Sequence, residues 1–457
     1  MSSHMTKQVD LIVVGAGSGG IAAARRAASH GATVVLMEGS RIGGTCVLRG
    51  CVPKKLMMYA SGFAHSMEEA AGFGWNELSG RFDLARWSSA KAAELTRLEA
   101  IYRTMLAESR VHVVTGRAEL AGEGMVRVGG DTWRAPRILI ATGGAPDQTA
   151  LPGLRHAMTS DDVLDLQQLP ASLLVIGAGY VGVEFASILR SLGVQVTLAY
   201  RSELPLRGFD QELRSLAADA MARRGIHIVP QARLIALEKN PDGYVLTRAD
   251  GDPLRAGSVL NATGRRPQTA DLGLESSNVR TDAAGAIVVD EDGRTSAPGI
   301  WAIGDVTNRI NLTPVAIAEG RAFADSHFGG RPVRADRRRV ASAVFCDPPL
   351  ASVGLTEEQA RTQGPVDVYT SHFRPMKTAF IHGEQRTFMK LLVDGRDERV
   401  LGAHMLGPDA PEIVQALAVA ISAGASKHDF DRTMALHPTA AEEFVLMREP
   451  ARRHREA

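Results

Sequence analysis

The sequence predicts an α/β protein with two nucleotide-binding α/β domains followed by a C-terminal α+β domain. Three observations predict it. A strand–glycine loop–helix–strand unit opens the chain, the same unit recurs in the middle, and a stretch fitting neither copy closes it. The first unit starts at Asp10-Leu11-Ile12-Val13-Val14, apolar enough for a strand buried on both faces. Gly15-Ala16-Gly17-Ser18-Gly19-Gly20 follows, then an Ala-rich helix over 21–30 that Gly31 ends. Residues 32–37 read as the next strand, with Glu38 at its end. This full context defines a Rossmann-like dinucleotide site. Gly15, Gly17, Ser18, Gly19 and Gly20 bring backbone against a pyrophosphate at the helix N-terminus, and Glu38 accepts from ribose hydroxyls. A glycine-rich turn without a ligand is the plainer alternative.

The second copy begins at Leu173-Leu174-Val175-Ile176 and runs into Gly177-Ala178-Gly179-Tyr180-Val181-Gly182. A helix to about Leu192, a cap at Gly193 and a strand over 194–198 complete it. Glu38 lies 23 residues past Gly15, and the same step from Gly177 reaches Tyr200, with Arg201 next and Arg207 beyond. The acid has gone and cations stand near its place. A ribose 2′-phosphate repels a carboxylate and pairs with arginine, so this site reads as one for NADPH. Solvated loop charges are the alternative for Arg201 and Arg207.

Between the two copies stands Gly43-Gly44-Thr45-Cys46-Val47-Leu48-Arg49-Gly50-Cys51-Val52-Pro53-Lys54-Lys55. As a structural staple, Cys46 and Cys51 would close a loop too short to constrain the unfolded chain much. Beside a flavin, such a pair is a store for two electrons, so the first site reads as one for FAD. The chain has 3 cysteines in 457 residues, which is no secreted-type framework. The third, Cys346, reads as a buried apolar residue.

Composition sets the outer limits. Three or four domains are expected from the length. A net charge of +1 gives no reason to expect nucleic acid or an anionic membrane as partner. No apolar run approaches a membrane span. Residues 1–5 resemble an expression remnant, no signal peptide precedes Val9, and a reducing cytoplasmic setting is the expectation. No metal site is expected.

Two dinucleotide sites and a redox pair together resemble the pyridine nucleotide–disulfide oxidoreductases, over essentially the whole chain. The resemblance implies further roles. Ala141-Thr142-Gly143-Gly144 and Ala262-Thr263-Gly264-Arg265 look like the crossings between nucleotide domains, with Thr142 and Gly143 at FAD and Gly264 and Arg265 at NADPH. Gly299-Ile300-Trp301-Ala302-Ile303-Gly304-Asp305 looks like the second FAD motif, with Asp305 on the ribityl chain; Thr45, Lys54 and Thr313 join that set. Lys54 and Glu184 would pair near the flavin and nicotinamide, a costly burial better explained by function than by stability. Tyr180 resembles the family's gate over the nicotinamide pocket, although a helix-terminal aromatic packed on the sheet is also open.

In this family one cysteine faces the flavin and the other the substrate, which assigns Cys51 and Cys46 respectively. The leaving thiolate needs a proton near neutral pH, a task for histidine. Leu436-His437-Pro438-Thr439-Ala440-Ala441-Glu442-Glu443 looks like the acid–base motif, with His437 oriented by Glu442 and supplied by a partner subunit. A homodimer follows.

Within the family the match is to members that reduce glutathione disulfide. Arg201 and Arg207 fit, as does Phe430-Asp431 before the His-Pro-Thr run. Arg25 and Tyr102 stand at the substrate contacts, and Phe373-Arg374-Pro375-Met376-Lys377 resembles a plant and cyanobacterial branch. Arg25 favours a substrate with carboxylates over a cationic one such as trypanothione. Lipoamide-specific members would keep an acid near position 200, and those with a C-terminal redox pair need cysteines beyond Cys346. One departure concerns a carboxylate-clamping arginine, whose place falls at Gly383, with His382 or Arg386 as substitutes. A similar small disulfide is therefore the alternative substrate. A non-catalytic NADPH-sensing flavoprotein is disfavoured by the joint presence of Cys46, Cys51, Lys54, Glu184, His437 and Glu442.

The expected organisation is a FAD-binding region over 6–145 with a helical insertion at about 53–110, an NADPH domain over 146–264, a central segment over 265–335 completing the FAD site, and an interface domain over 336–457. Residues 452–457 are expected to form a frayed charged tail.

Overall fold

The computed structural model describes residues 6–455. Residues 1–5, read above as an expression remnant, lie outside the described residues, as do Glu456 and Ala457. The chain divides into two compact units.

The first unit comprises the stretch through Leu56, Leu84–Asp147 and Gly264–Asp336. Its centre is a five-stranded parallel sheet in the order Ile300–Ala302, Ile138–Ile140, Leu11–Val14, Val34–Glu38 and His112–Thr115. Leu11–Val14 is buried throughout, as its unbroken apolar run requires of a central parallel strand. The helices Ser18–Ser29 and Thr313–Phe328 pack closely against each other. Gly320 allows that approach, since a methyl there would sit 2.5 Å from Gly19 O. A four-stranded sheet in the order Lys7–Gln8, Asp131–Arg134, Met125–Val128 and Ala118–Leu120 completes the unit's apolar core.

The second unit comprises Met57–Asp83, Gln148–Thr263 and Arg337–Ala457. It holds a four-stranded parallel sheet ordered His227–Val229, Gln195–Ala199, Ser172–Ile176 and Ser258–Asn261. The second fingerprint opens from its Ser172–Ile176 strand. A six-stranded antiparallel sheet runs Ser342–Val344, Leu350–Gly354, Val400–Leu406, Thr387–Asp394, Val366–Phe373 and Arg452–His454. The helix Ala410–Ser422 covers it, with Val414 and Ile421 in the shared core.

The last strand corrects the expected frayed tail. Arg452–His454 pairs antiparallel with Val366–Val368. Its side chains carry the reason: Arg452 Nε donates to Glu357 Oε1 at 2.8 Å and His454 Nε2 meets the same oxygen at 2.8 Å. A run of charges looks solvated in sequence, but one buried carboxylate, Glu357, anchors this one.

Candidate active site

The two fingerprints have the same backbone geometry. Gly15 and Gly177 have φ of +105° and +103°, the left-handed region that glycine tolerates best. A methyl at Gly20 would meet Gly15 O at 1.9 Å, and one at Gly182 would meet Gly177 O at 2.0 Å. These glycines let each helix start directly on its own strand. At Gly17 and Gly179 a methyl would meet nothing within 4 Å. That open side is where a pyrophosphate can approach the backbone. Gly17 and Gly179 also cap the helices Ser18–Ser29 and Tyr180–Ser191 with no side-chain hydrogen bond, so the first-turn N–H groups face outward for an anion. Both loops therefore fit dinucleotides.

Beyond the glycines the two sites differ. Glu38 accepts from Ala16 N at 2.7 Å and Ser40 N at 2.8 Å, so the acid stands against its own glycine loop. In the second copy Tyr200 is buried, while Arg201 and Arg207 are exposed. Tyr180, at the start of its helix, is 43% exposed.

The redox motif meets the first fingerprint through glycine. A methyl on Gly44 would lie 2.6 Å from Gly17 Cα. Gly44 and Thr45 open the short helix Gly44–Leu48, which carries Cys46; Cys51 begins the twenty-residue helix Cys51–Ala70. Cys46 is half-buried and Cys51 exposed. Cys46 hydrogen-bonds to Ser18 on the fingerprint helix and to Thr313, and Cys51 Sγ lies 3.7 Å from Thr313 Oγ1. The sulfurs thus sit between the N-termini of two helices.

The two thiols are not equivalent. The Cys46 thiol is held far above its ordinary value, first by its hydrogen bond with Cys51, then by burial and by charge on Cys51. Cys51 occupies the positive end of a long helix, which favours a thiolate. The proton of the reduced pair is thus held on Cys46. Cys346 is buried, and burial, then Glu184 and Asp347, push its thiol up; its Sγ donates to Pro348 O at 3.1 Å. Only thiolates alkylate readily. Iodoacetamide is therefore expected to label the exposed Cys51 of the reduced native protein, to reach Cys46 only where a base takes its proton, and to spare the buried Cys346 until the chain unfolds, as peptide mass mapping would read.

Around the first fingerprint, Thr142 Oγ1 donates to Gln268 O at 2.7 Å, and Gly143 has φ +72°. Gly304 N donates to the buried Glu319 at 2.9 Å, which also accepts from Arg309 at 2.9 Å. Asp305 is half-buried; burial raises its carboxyl, Arg265 opposes this and Glu319 adds to it. Arg265, expected at the second nucleotide together with Gly264, belongs to the first unit and donates to Gly144 O there. Lys54 is buried in the first unit. Glu184 is buried in the second, where it accepts from Phe345 N at 2.9 Å.

Arg25 lies on the fingerprint helix, its Nε donating to Ser109 Oγ at 3.1 Å, while Tyr102 is half-buried against the first unit's core. Arg321, absent from the sequence-based set, is exposed on the helix Thr313–Phe328, which packs on the helix bearing Arg25. Gly383 borders a cavity of about 210 Å³ in the second unit, together with Arg386, Arg223 and His372.

His437 Nδ1 lies 3.1 Å from Glu442 Oε1, which fixes the ring and leaves Nε2 for chemistry. Thr439 Oγ1 accepts from Glu442 N at 3.3 Å and so holds the carboxylate's turn in place. The imidazole is 80% exposed while Glu442 is 13% exposed. Exposed Met434 and Leu436 precede it, and Val419 and Leu446 are exposed in the same domain. A fixed imidazole beside bare apolar side chains marks a surface made to be covered.

Residues 9–320 match the family model for pyridine nucleotide-disulphide oxidoreductase, and residues 340–448 match that family's dimerisation domain. The chain belongs to the pyridine nucleotide-disulphide oxidoreductase family. It is 48% identical over 440 residues to a glutathione reductase of Burkholderia cepacia, covering 96% of this chain and 98% of the relative. It is 44% identical over 459 residues to one of Nostoc sp., covering 97% and 100%. The chloroplastic/mitochondrial glutathione reductase of Pisum sativum is 45% identical over 459 residues, covering 98% of this chain and 83% of its own. Among the described residues no helix is long and apolar enough to cross a membrane.

Proposed function

We propose that this protein is a homodimeric flavoprotein that uses NADPH to reduce glutathione disulfide to two glutathione molecules. The observation that carries the reading is the asymmetric Cys46–Cys51 pair, hydrogen-bonded to Ser18 at the start of a dinucleotide-binding helix. Gly15, Gly17, Gly20, Glu38, Thr45, Thr142, Gly143, Gly304, Asp305 and Thr313 would hold FAD. When bound, FAD supplies the two-electron relay between nicotinamide and disulfide. Gly177, Gly179 and Gly182 would cradle the NADPH pyrophosphate, with Arg201 and Arg207 on its 2′-phosphate. Tyr180 would cover the nicotinamide, and Lys54 and Glu184 would tune the site between the two ring systems. Residues 146–264 form the NADPH domain in this reading and 336–457 the interface domain. Its setting is the cytoplasm.

The chain's own chemistry begins with the reduced pair. The partner subunit's His437, oriented by a carboxylate, takes the Cys46 proton. Cys46 Sγ attacks one sulfur of glutathione disulfide, forming a mixed disulfide as the S–S bond of the substrate breaks. The partner's His437 returns the proton to the departing glutathione thiolate. The Cys51 thiolate then attacks Cys46 Sγ, which restores the Cys46–Cys51 disulfide and expels the second glutathione. Arg25, and Arg321 on the helix packed against its own, would pair with substrate carboxylates.

Steady-state rates with glutathione disulfide, trypanothione disulfide, mycothione, lipoamide and bis-γ-glutamylcystine, each with NADPH and NADH, test the assignment. Glutathione disulfide with NADPH is expected to lead; a lead by any other pair would overturn the substrate or donor. Replacing Arg201 and Arg207 together should raise KM for NADPH by about 10- to 100-fold, because each charge-assisted contact contributes roughly 1.5–3 kcal/mol before losses to solvent. KM for NADH should hardly move. An unchanged ratio of the two would exclude these arginines from the phosphate site.

A further inference from the structure

The loop that carries Arg207 has an unusual support. Leu206 is only 1% exposed yet has φ +55°, a strained conformation for a branched side chain that its surroundings must enforce. On one side, Leu206 N donates to Ala178 O of the glycine loop at 2.8 Å. On another, Arg214 donates to Pro205 O at 2.7 Å and Leu204 O at 2.9 Å. The third support comes from far along the chain. Asp210, fully buried, caps the helix Gln211–Arg223 and is gripped by Lys390 Nζ at 2.8 and 2.9 Å. Lys390 is 1% exposed in the strand Thr387–Asp394, and its Nζ also reaches Glu357 at 2.6 Å. Glu357 N donates back to Asp210 Oδ2 at 3.0 Å.

A buried ion pair is a poor device for stability, because desolvating both charges offsets most of their attraction. Where such a pair is kept, holding one geometry is the better-attested use. Here the geometry held is the exit of the arginine loop, three residues after Arg207. We propose that Asp210 and Lys390 form a positioning clamp that holds Arg207 in register for the 2′-phosphate of NADPH, so that the C-terminal sheet sets the donor preference of a site to which it contributes no ligand. The inference rests on the assignment of Arg207 to that phosphate.

Asp210→Asn is the test. It removes the charge that Lys390 grips, keeps one of the two backbone hydrogen bonds that Asp210 accepts, from Glu212 N or from Glu357 N, and leaves Lys390 beside Glu357. In the FAD-loaded enzyme, KM for NADPH should rise about tenfold, since a small misplacement of a binding group is enough for that loss, with kcat and KM for NADH within about twofold. The double variant Asp210→Asn/Lys390→Met should show the same rise rather than a larger one, as expected of two groups acting as a unit. It also carries the measurement if the single variant does not fold. Both variants are compared with Arg207→Ala. A lowered melting temperature with an unchanged NADPH-to-NADH ratio, while Arg207→Ala still shifts that ratio, would make the pair merely structural and overturn the clamp. An unshifted ratio in Arg207→Ala would overturn the phosphate assignment and the clamp with it.

Discussion

Replacing Cys46 with Ser is expected to abolish glutathione disulfide reduction, by at least about 10³-fold in kcat, the scale on which removal of an essential nucleophile is felt. Anaerobic NADPH should still bleach the flavin absorbance at an ordinary rate. The expectation follows from the division of labour in the pair. Cys46 shares hydrogen bonds with Cys51, Ser18 and Thr313 and keeps its proton while Cys51 is charged. It is thus the thiol that can be called to attack by an outside base, whereas Cys51 sits where a helix end steadies an anion. Cys51→Ser should interrupt electron transfer to the disulfide as well. If Cys46→Ser blocked flavin bleaching while Cys51→Ser spared substrate reduction, the two roles would have to be exchanged.

His437→Ala should lower kcat by about 10²–10⁴-fold, the usual contribution of a positioned acid–base group. A mixing experiment then locates the residue. Cys46→Ser and His437→Ala chains are each inactive alone. If the imidazole serves the other subunit's sulfur, a mixed dimer contains one site with both mutations and one with neither. Equal amounts of the two chains, unfolded and refolded together, should recover about a quarter of the unmutated activity, as random pairing in a twofold dimer requires. No recovery from dimers shown to be mixed would mean that His437 acts within its own chain. The 80% exposure of the imidazole, beside exposed Met434 and Leu436, is what leads us to expect recovery.

Much of this was legible in the sequence because it depends on local backbone geometry. Gly15, Gly20, Gly177 and Gly182 must be glycine for steric reasons that a motif records faithfully. Cys46 and Cys51 are close in sequence, so their proximity needed no fold. Glu442 lies five residues from His437 and is bonded to it as the motif implied. What stayed hidden depends on long-range contacts. Lys390 stands in a strand whose eight residues are all buried. A lysine inside Thr-Phe-Met-Lys-Leu-Leu-Val-Asp was a signal that a carboxylate had to meet it, but nothing in the pattern named Asp210. Arg452 and His454 read as a solvated tail because Glu357 lies 95 and 97 residues away. The hydrogen bond of Arg265 to Gly144 O, 121 residues away, was likewise invisible in the crossing motif that carries it.

The contact between Gly44 and Gly17 has a thermodynamic consequence. No side chain stands between the loop that carries the sulfur and the loop that would cradle the pyrophosphate, so a displacement of one backbone is felt by the other. Linkage then runs in both directions with the same magnitude. Whatever factor the bound dinucleotide applies to the equilibrium between dithiol and disulfide, the disulfide must apply to the grip on the dinucleotide. The chain's affinity for its prosthetic group and its reducing strength are two readings of one coupling.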